Sequence, residues 1–347
     1  MQQYSVVDLF CGVGGLTHGF VREGFNVIAG IDSDASCKYA FEKNNKTQFI
    51  EADVAELSGE DITKLYPKGF LKILIGCAPC QPFSSYTNKV KEKNRNQWFL
   101  LGEFGRLIEK VQPEIVSMEN VPSLASKDVF KDFIELLTSN NYHVTWKNVY
   151  CPDYGVPQKR WRLVLLASKL GDINLIPPTH LPEKYITVKD AIGHLPPIGA
   201  GDAHVDDPLH RASTMSSTNL KRINSSKPGG TWHDWPESLV APCHRKRSGN
   251  SYYNVYGRME WDKISPTITT EFTGFGNGRF GHPEQNRGLS LREGALLQTF
   301  PRNYEFFEPG TKFHLTHIAR YIGNAVPVGL ARAIAKSIQI FIDANNK

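Results

Sequence analysis

Apolar positions in the first half of the chain cluster into short runs with few polar interruptions. Residues 5–10, 26–31, 71–75, 114–118 and 161–166 are each rich in Val, Ile and Leu. Between the early runs lie stretches with helical character, one through Phe20 and Val21 and one over 35–43. Strands that are apolar throughout and separated by helices predict a largely parallel α/β sheet covered on both faces. Ligands of such sheets sit at the carboxyl ends of the strands, so the residues just after each run are the candidates for chemistry.

The pattern changes from 171 to 286. Pro177-Pro178, Pro196-Pro197 and Pro228-Gly229-Gly230 break the alternation, which predicts a loop-rich second domain with short strands such as 265–270. Helical texture returns near Ser290. Val326, Leu330, Ile334, Ile338 and Ile342 then recur every four residues, an apolar stripe read as core packing.

Composition narrows the picture. The 347 residues suit two domains better than one, and 40% hydrophobic with 11% aromatic content excludes global disorder. Forty Lys and Arg against 35 Asp and Glu give a net charge of only +5, which excludes a polybasic coat but not a local basic patch. Six irregularly spaced cysteines do not make a disulfide framework. No uncharged run reaches the roughly 18–20 residues that span a bilayer, and Met1-Gln2-Gln3-Tyr4 does not begin a signal peptide. These features predict a soluble, cytoplasmic protein. Between Lys221 and Arg258 seven Lys/Arg face two Asp/Glu, among Trp232, Trp235, Tyr252, Tyr253 and Tyr256. That combination fits either a solvated basic loop or a nucleic-acid surface.

Candidate chemistry follows the strands. Asp8-Leu9-Phe10-Cys11-Gly12-Val13-Gly14-Gly15 places glycines between a strand and a helix, where a ligand can approach the backbone. Thr17 stands where a dinucleotide fingerprint wants its third glycine. Asp32 ends the second run and could hold a ribose diol; Asp53 could accept from an exocyclic amine. After the 71–75 run comes Gly76-Cys77-Ala78-Pro79-Cys80-Gln81-Pro82-Phe83-Ser84-Ser85. Cys77 and Cys80 could be a redox pair or half a zinc site, but no second C-x-x-C exists to complete four ligands. A nucleophilic thiol backed by a lysine-rich lid, with Lys89, Lys91, Lys93 and Arg95 against Glu92, fits better. Glu119-Asn120 after the next run would point into the same cleft. Arg160 and Arg162, two apart, would share one strand face.

In this order and spacing the segments closely resemble the bacterial DNA (cytosine-5) methyltransferases of restriction–modification systems. The matches are Asp8-Leu9-Phe10-x-Gly12-x-Gly14-Gly15, Pro79-Cys80-Gln81, Glu119-Asn120-Val121 and Gln158-x-Arg160-x-Arg162. Near the end come Arg292-Glu293-Gly294-Ala295-Leu296-Leu297-Gln298-Thr299-Phe300-Pro301 and Gly323-Asn324-Ala325-Val326-Pro327. The resemblance implies a Rossmann-like S-adenosylmethionine-dependent catalytic domain over 1–170 and 287–347, closed by the C-terminal helix. A smaller, loop-rich target-recognition domain would occupy 171–286. It implies methylation of carbon 5 of a flipped-out cytosine in a specific duplex sequence, with Cys80 as nucleophile, Glu119 and Arg162 on the base, and Arg160 in support. Phe10, Gly12, Gly14, Gly15, Asp32, Ser33, Asp53, Val54, Pro79, Leu100, Asn324 and Ala325 would line the cofactor pocket. Gln81, Ser84, Ser85, Lys89, Arg245, Arg247, Tyr252, Tyr253 and Arg258 would meet the duplex. The partners implied are double-stranded DNA and a cognate restriction endonuclease, for a monomer acting on DNA in the bacterial cytoplasm, with no metal.

Two positions depart from the family pattern. Ser33 replaces a bulky aromatic, so stacking on the adenine would fall to Phe10 and Val54. Gly294 replaces a more usual alanine, with little consequence expected. The alternative within the same catalytic frame is an RNA (tRNA) cytosine-5 methyltransferase, which the large segment between Arg162 and Arg292 argues against.

Overall fold

The computed structural model describes residues 3–79, 95–246, 249 and 252–345, with only the backbone course described for 95–98. Seven strands form one sheet: β1 (Tyr4–Leu9), β2 (Val27–Asp32), β3 (Gln48–Glu51), β4 (Leu71–Gly76), β5 (Ile115–Asn120), β6 (His143–Tyr150) and β7 (Trp161–Ser168). Their order is β3-β2-β1-β4-β5-β7-β6. The first five run parallel, while β7 is antiparallel to both β5 and β6. The chain leaves β1 toward β2 on one side and later returns to β4 on the other. That reversal opens a crevice at the carboxyl ends of β1 and β4.

Alternation along each strand divides the apolar residues between two faces. Val6, Ile73, Ile75, Ile115, Val164 and Leu166 pack with α1 (Gly15–Arg22) and with the C-terminal helix Val328–Asn345. Val7, Leu9, Leu74, Val116, Met118 and Leu165 face the other way, toward the helices Gly59–Thr63, Arg95–Val111 and Asp128–Ser139. The predicted stripe of Leu330, Ile334, Ile338 and Ile342 is fully enclosed on the first face. By length and composition Leu315–Asn345 could cross a bilayer, but its most apolar stretch is mostly buried inside the fold. The helix expected over 35–43 is a short 3-10 turn (Ala35–Cys37) running into the helix Lys38–Asn45.

The inserted segment holds the helices Val188–Ile192 and Ser217–Asn224 and a two-stranded ribbon, Ala203–His204 with Asp207–Arg211. It does not stand apart along its whole length. Val188, Ile192, Leu209, Met259, Ile268, Phe272 and Phe280 share a core with Cys11, Phe41, Phe300 and Tyr304 of the sheet-bearing unit. A separate cluster is built on Ile223, Trp232, Trp235 and Phe275. The helix Leu291–Leu297 bolts the two parts together. Arg292 pairs with Asp207 at 2.7 Å, and fully buried Arg287 grips Glu293 at 2.7 Å through both guanidinium nitrogens. Burial pushes the Glu293 carboxyl up, yet Arg287, His282 and the Ser290 N–H together bring it down to about 2.

Two expectations need correcting here. The strand expected over 265–270 is a single bridge between Ser265 and Gln158. Its backbone bonds instead seal against the sheet-bearing unit: Ser265 donates to Pro157 O, and Ile268 donates to Gln158 Oε1 at 3.0 Å. The sheet is largely parallel, as expected, with β7 alone running against the other six strands. Gly294 also has a consequence: a Cβ there would stand 2.2 Å from the Phe272 ring. Glycine at 294 lets the inserted segment close onto the Leu291–Leu297 helix.

Candidate active site

A cavity of about 390 Å³ opens at the crevice. Its wall draws on the loop after β1 (Phe10, Gly12, Gly15), the end of β2 (Asp32) and the turn after β4 (Cys77, Ala78, Pro79). The end of β5 (Glu119, Asn120), the start of β7 (Arg160, Arg162) and Asn324 with Ala325 complete it. Antiparallel pairing explains the arginines. The start of β7 lies beside the end of β5, with Glu119 opposite Val164 and Asn120 opposite Leu163.

One end of the cavity is shaped by backbone. Gly12 has φ +49, and a Cβ there would meet nothing within 4 Å, so glycine leaves a cradle on the cavity wall that a side chain would fill. The Gly12 N–H donates to Asp32 Oδ2 at 2.9 Å, and the Asp34 N–H donates to Oδ1 at 2.9 Å. Burial pushes the Asp32 carboxyl up against these two bonds, which favour its charge. Phe10 reaches the wall with a φ of +59, a conformation a non-glycine residue holds only when its surroundings compel it. The open cradle beside a partly buried carboxylate fits a ribose-bearing ligand.

The other end is ionic. Glu119 is 2% exposed, and its Oε1 lies 2.8 Å from Arg162 Nε. The two are close but poorly aligned, so Oε1 has no hydrogen-bond partner, while Oε2 accepts from the Cys77 thiol at 2.9 Å. Arg160 is more deeply buried and otherwise engaged. It donates to Ile268 O at 2.9 Å and to Gly323 O at 3.3 Å, tying the inserted segment to the loop that carries Asn324. Burial and then neighbouring Arg162 bring its guanidinium down to about 9, against the pull of Glu119. Asn120 donates to Ala78 O at 3.1 Å and accepts from the Val121 N–H, fixing the turn that leads to Pro79.

Residues 4–340 match the family model of the C-5 cytosine-specific DNA methylases. The chain is 56% identical over 342 residues to the Type II methylase M.HgiDII of Herpetosiphon aurantiacus, covering 98% of this chain and 96% of that one. The chain belongs to the C-5 cytosine-specific DNA methylase family. It is 33% identical to the Type II methyltransferase M1.HphI of Haemophilus parahaemolyticus, across 96% of this chain and 86% of the relative. Among solved structures, a Spodoptera frugiperda DNMT2 variant shares the fold at TM-score 0.64 and 15% identity, over 97% of this chain and 100% of that one. The protein is thus a DNA (cytosine-5) methyltransferase that uses S-adenosylmethionine as methyl donor and acts on double-stranded DNA.

Of the expected cofactor residues, the methyltransferase brings Phe10, Gly12, Gly15, Asp32, Pro79, Asn324 and Ala325 to the cavity wall. Gly14, Ser33, Asp53, Val54 and Leu100 lie outside it. Gly14 serves packing instead, since a Cβ there would stand 2.5 Å from Asn45 Nδ2. Val54 is 2% exposed and enclosed in the apolar cluster with Ile62. Ser33 and Asp53 are exposed, and Leu100 is half-buried.

Among the expected DNA contacts, Tyr252 and Tyr253 are exposed, and Arg245 is exposed while donating to Glu237 O at 2.6 Å. Arg258 does not face a duplex. It is 4% exposed, and its guanidinium donates to Ile223 O, His282 O, Gln285 O and Asn286 Oδ1. Cys80, Gln81, Ser84, Ser85, Lys89 and Arg247 lie outside the described residues. Sequence reasoning gave no part to Cys77 beyond a possible redox pair or half a zinc site, and none to Arg320 or Tyr321. These last two reach the wall beside Asp34, with Arg320 Nη2 2.9 Å from Asp34 Oδ2. Tertiary packing brings residues 286 positions apart together here, with no local motif to signal it.

Proposed function

We propose that this methyltransferase flips a cytosine out of a specific duplex sequence and methylates its carbon 5 through a covalent adduct with Cys80. The observation that carries this reading is the buried Glu119–Arg162 pair, whose Oε1 lacks a hydrogen-bond partner in the cavity that also holds Gly12, Asp32 and Pro79. A buried carboxylate oxygen left without a donor is costly unless a ligand supplies one. Ring nitrogen 3 of a cytosine, once protonated, would do so. A base stacked inside a duplex cannot reach this cavity, hence the flip.

Carbon 5 of cytosine is a weak nucleophile. Cys80 follows Pro79 directly in the chain, and its thiolate would form a bond to carbon 6, moving the 5,6 double-bond electrons onto carbon 5. Glu119 would share a proton with nitrogen 3 as negative charge develops on the ring. Arg162 would donate to the carbonyl oxygen and balance the same charge, while Arg160 holds the surrounding backbone. Bound S-adenosylmethionine supplies an electrophilic methyl group. After methylation a solvent base takes the carbon-5 proton, and its electron pair re-forms the 5,6 double bond. The carbon 6–sulfur bond breaks to release Cys80 as thiolate, and the nitrogen-3 proton returns to Glu119.

The inserted domain, 171–286, would seat the duplex through its exposed aromatic and basic residues, Arg245, Tyr252 and Tyr253 among them. In the cell the enzyme would act as a monomer and shield host DNA from a cognate restriction endonuclease. Cys80→Ala tests the reaction. It should abolish methyl transfer and leave duplex binding intact, and DNA with 5-fluorocytosine at the target should trap a covalent adduct with the native enzyme. Undiminished turnover by Cys80→Ala would overturn the mechanism. Methyl incorporation into tRNA and not duplex DNA would overturn the substrate.

A further inference from the structure

We propose that Cys77 is a positioning residue for methyl transfer, its thiol holding Glu119 so that one carboxylate oxygen is presented to the flipped base. The inference rests on the role given to Glu119 above. Cys77 follows β4 directly and stands on the cavity wall, with Sγ 2.9 Å from Glu119 Oε2. The terminal torsion of a glutamate is broad and roughly two-fold, so a carboxylate without directional partners turns freely. Arg162 supplies charge to Oε1 from 2.8 Å but no aligned hydrogen bond. The Cys77 thiol is the directional contact to Oε2, and with the charge of Arg162 at Oε1 it sets the plane in which the carboxylate meets the base.

The other thiols among the described residues do nothing comparable. Burial raises the pKa of Cys11, Cys37 and Cys151, each enclosed in the core, while Cys243 is exposed in the inserted segment. This placement gives Cys77 a task within C-x-x-C that needs neither a redox partner nor a metal.

The test compares the native enzyme with Cys77→Ala, Cys77→Ser, Cys77→Val and Glu119→Gln in single-turnover and steady-state methyl transfer to a duplex substrate. Losing a hydrogen bond to a charged group should lower kcat of Cys77→Ala by about tenfold or more, with KM for DNA and cofactor affinity unchanged. Cys77→Val fills the same space without a donor and should match Cys77→Ala, whereas Cys77→Ser donates and should recover most of the rate. In a Glu119→Gln background Cys77→Ala should cost nothing further, since the two act through one contact. Native kcat in Cys77→Ala, a serine variant as slow as alanine, or additive losses in the double variant would each overturn the proposal. Full turnover by Glu119→Gln would instead overturn the role given to Glu119, a separate failure.

Discussion

Arg162 at the carboxyl edge of the sheet and Arg258 in the inserted segment have opposite fates. Arg162 stands at the start of β7 with its Nε 2.8 Å from a buried carboxylate, on the wall of an open cavity. Arg258, from the most basic stretch of the chain, spends its guanidinium on the backbone oxygens of Ile223, His282 and Gln285. Arg279 does likewise with Gly229 and Gly230, and Arg222 lies over the Trp235 and Tyr256 rings. A regular sheet satisfies its own backbone, so its end residues are released for chemistry. A loop-rich segment leaves carbonyls unpaired and recruits side-chain donors to satisfy them. Positive charge counted along such a segment therefore overstates what is left for DNA.

Substituting the two arginines should separate these roles most sharply. Arg162→Ala should lower kcat by about 10²–10³, the scale of a lost charge-stabilising donor. Arg258→Ala should destabilise the fold by at least about 3 kcal/mol in urea denaturation, because several buried carbonyls lose their donor together. If Arg258→Ala kept native stability and lost only DNA affinity, the contrast would fail.

A smaller effect is expected where the two regions touch. Gly294→Ala should cost about 1–3 kcal/mol, since its Cβ would collide with the Phe272 ring in a packed core. Thermal melting would register it, and an unchanged Tm would mean that Phe272 can move aside.

The pH dependence sharpens the sheet side. Burial pushes the Asp8 carboxyl up to about 7, with Thr17 donating to Oδ2 at 2.6 Å and Oδ1 left without a partner. A carboxyl with a raised folded pKa contributes stability in full below its unfolded value of about 3.9, and loses it as pH rises through about 7. The stability of Asp8→Asn relative to the native enzyme should therefore grow from pH 4 to 7 and level off above. A flat difference in pH-resolved unfolding would contradict this. Least of all, Tyr253→Ala should raise KM for duplex DNA about fivefold without changing kcat, the scale of one lost aromatic contact. A change in kcat alone would place Tyr253 outside duplex binding.

What the sequence determined by itself is the part of the molecule where local pattern and structure coincide. Short apolar runs separated by helical stretches fit central strands buried on two faces, and this pattern pointed to the sheet, its covering helices and the candidate residues at the strand ends. Glu119, Arg160 and Arg162 could be named in advance because strand register carries their side chains to one edge. The tertiary structure decided what those residues touch. Arg160 and Arg162, two positions apart, divide into a tie to Ile268 and Gly323 and a partner for Glu119. Cys77, silent in the sequence beyond its spacing to Cys80, meets a carboxylate 42 positions away. Val54 and Arg258, which read as ligand contacts, are enclosed. Burial and long-range contact depend on how separate segments pack, and neither is written in the order of residues around any one of them.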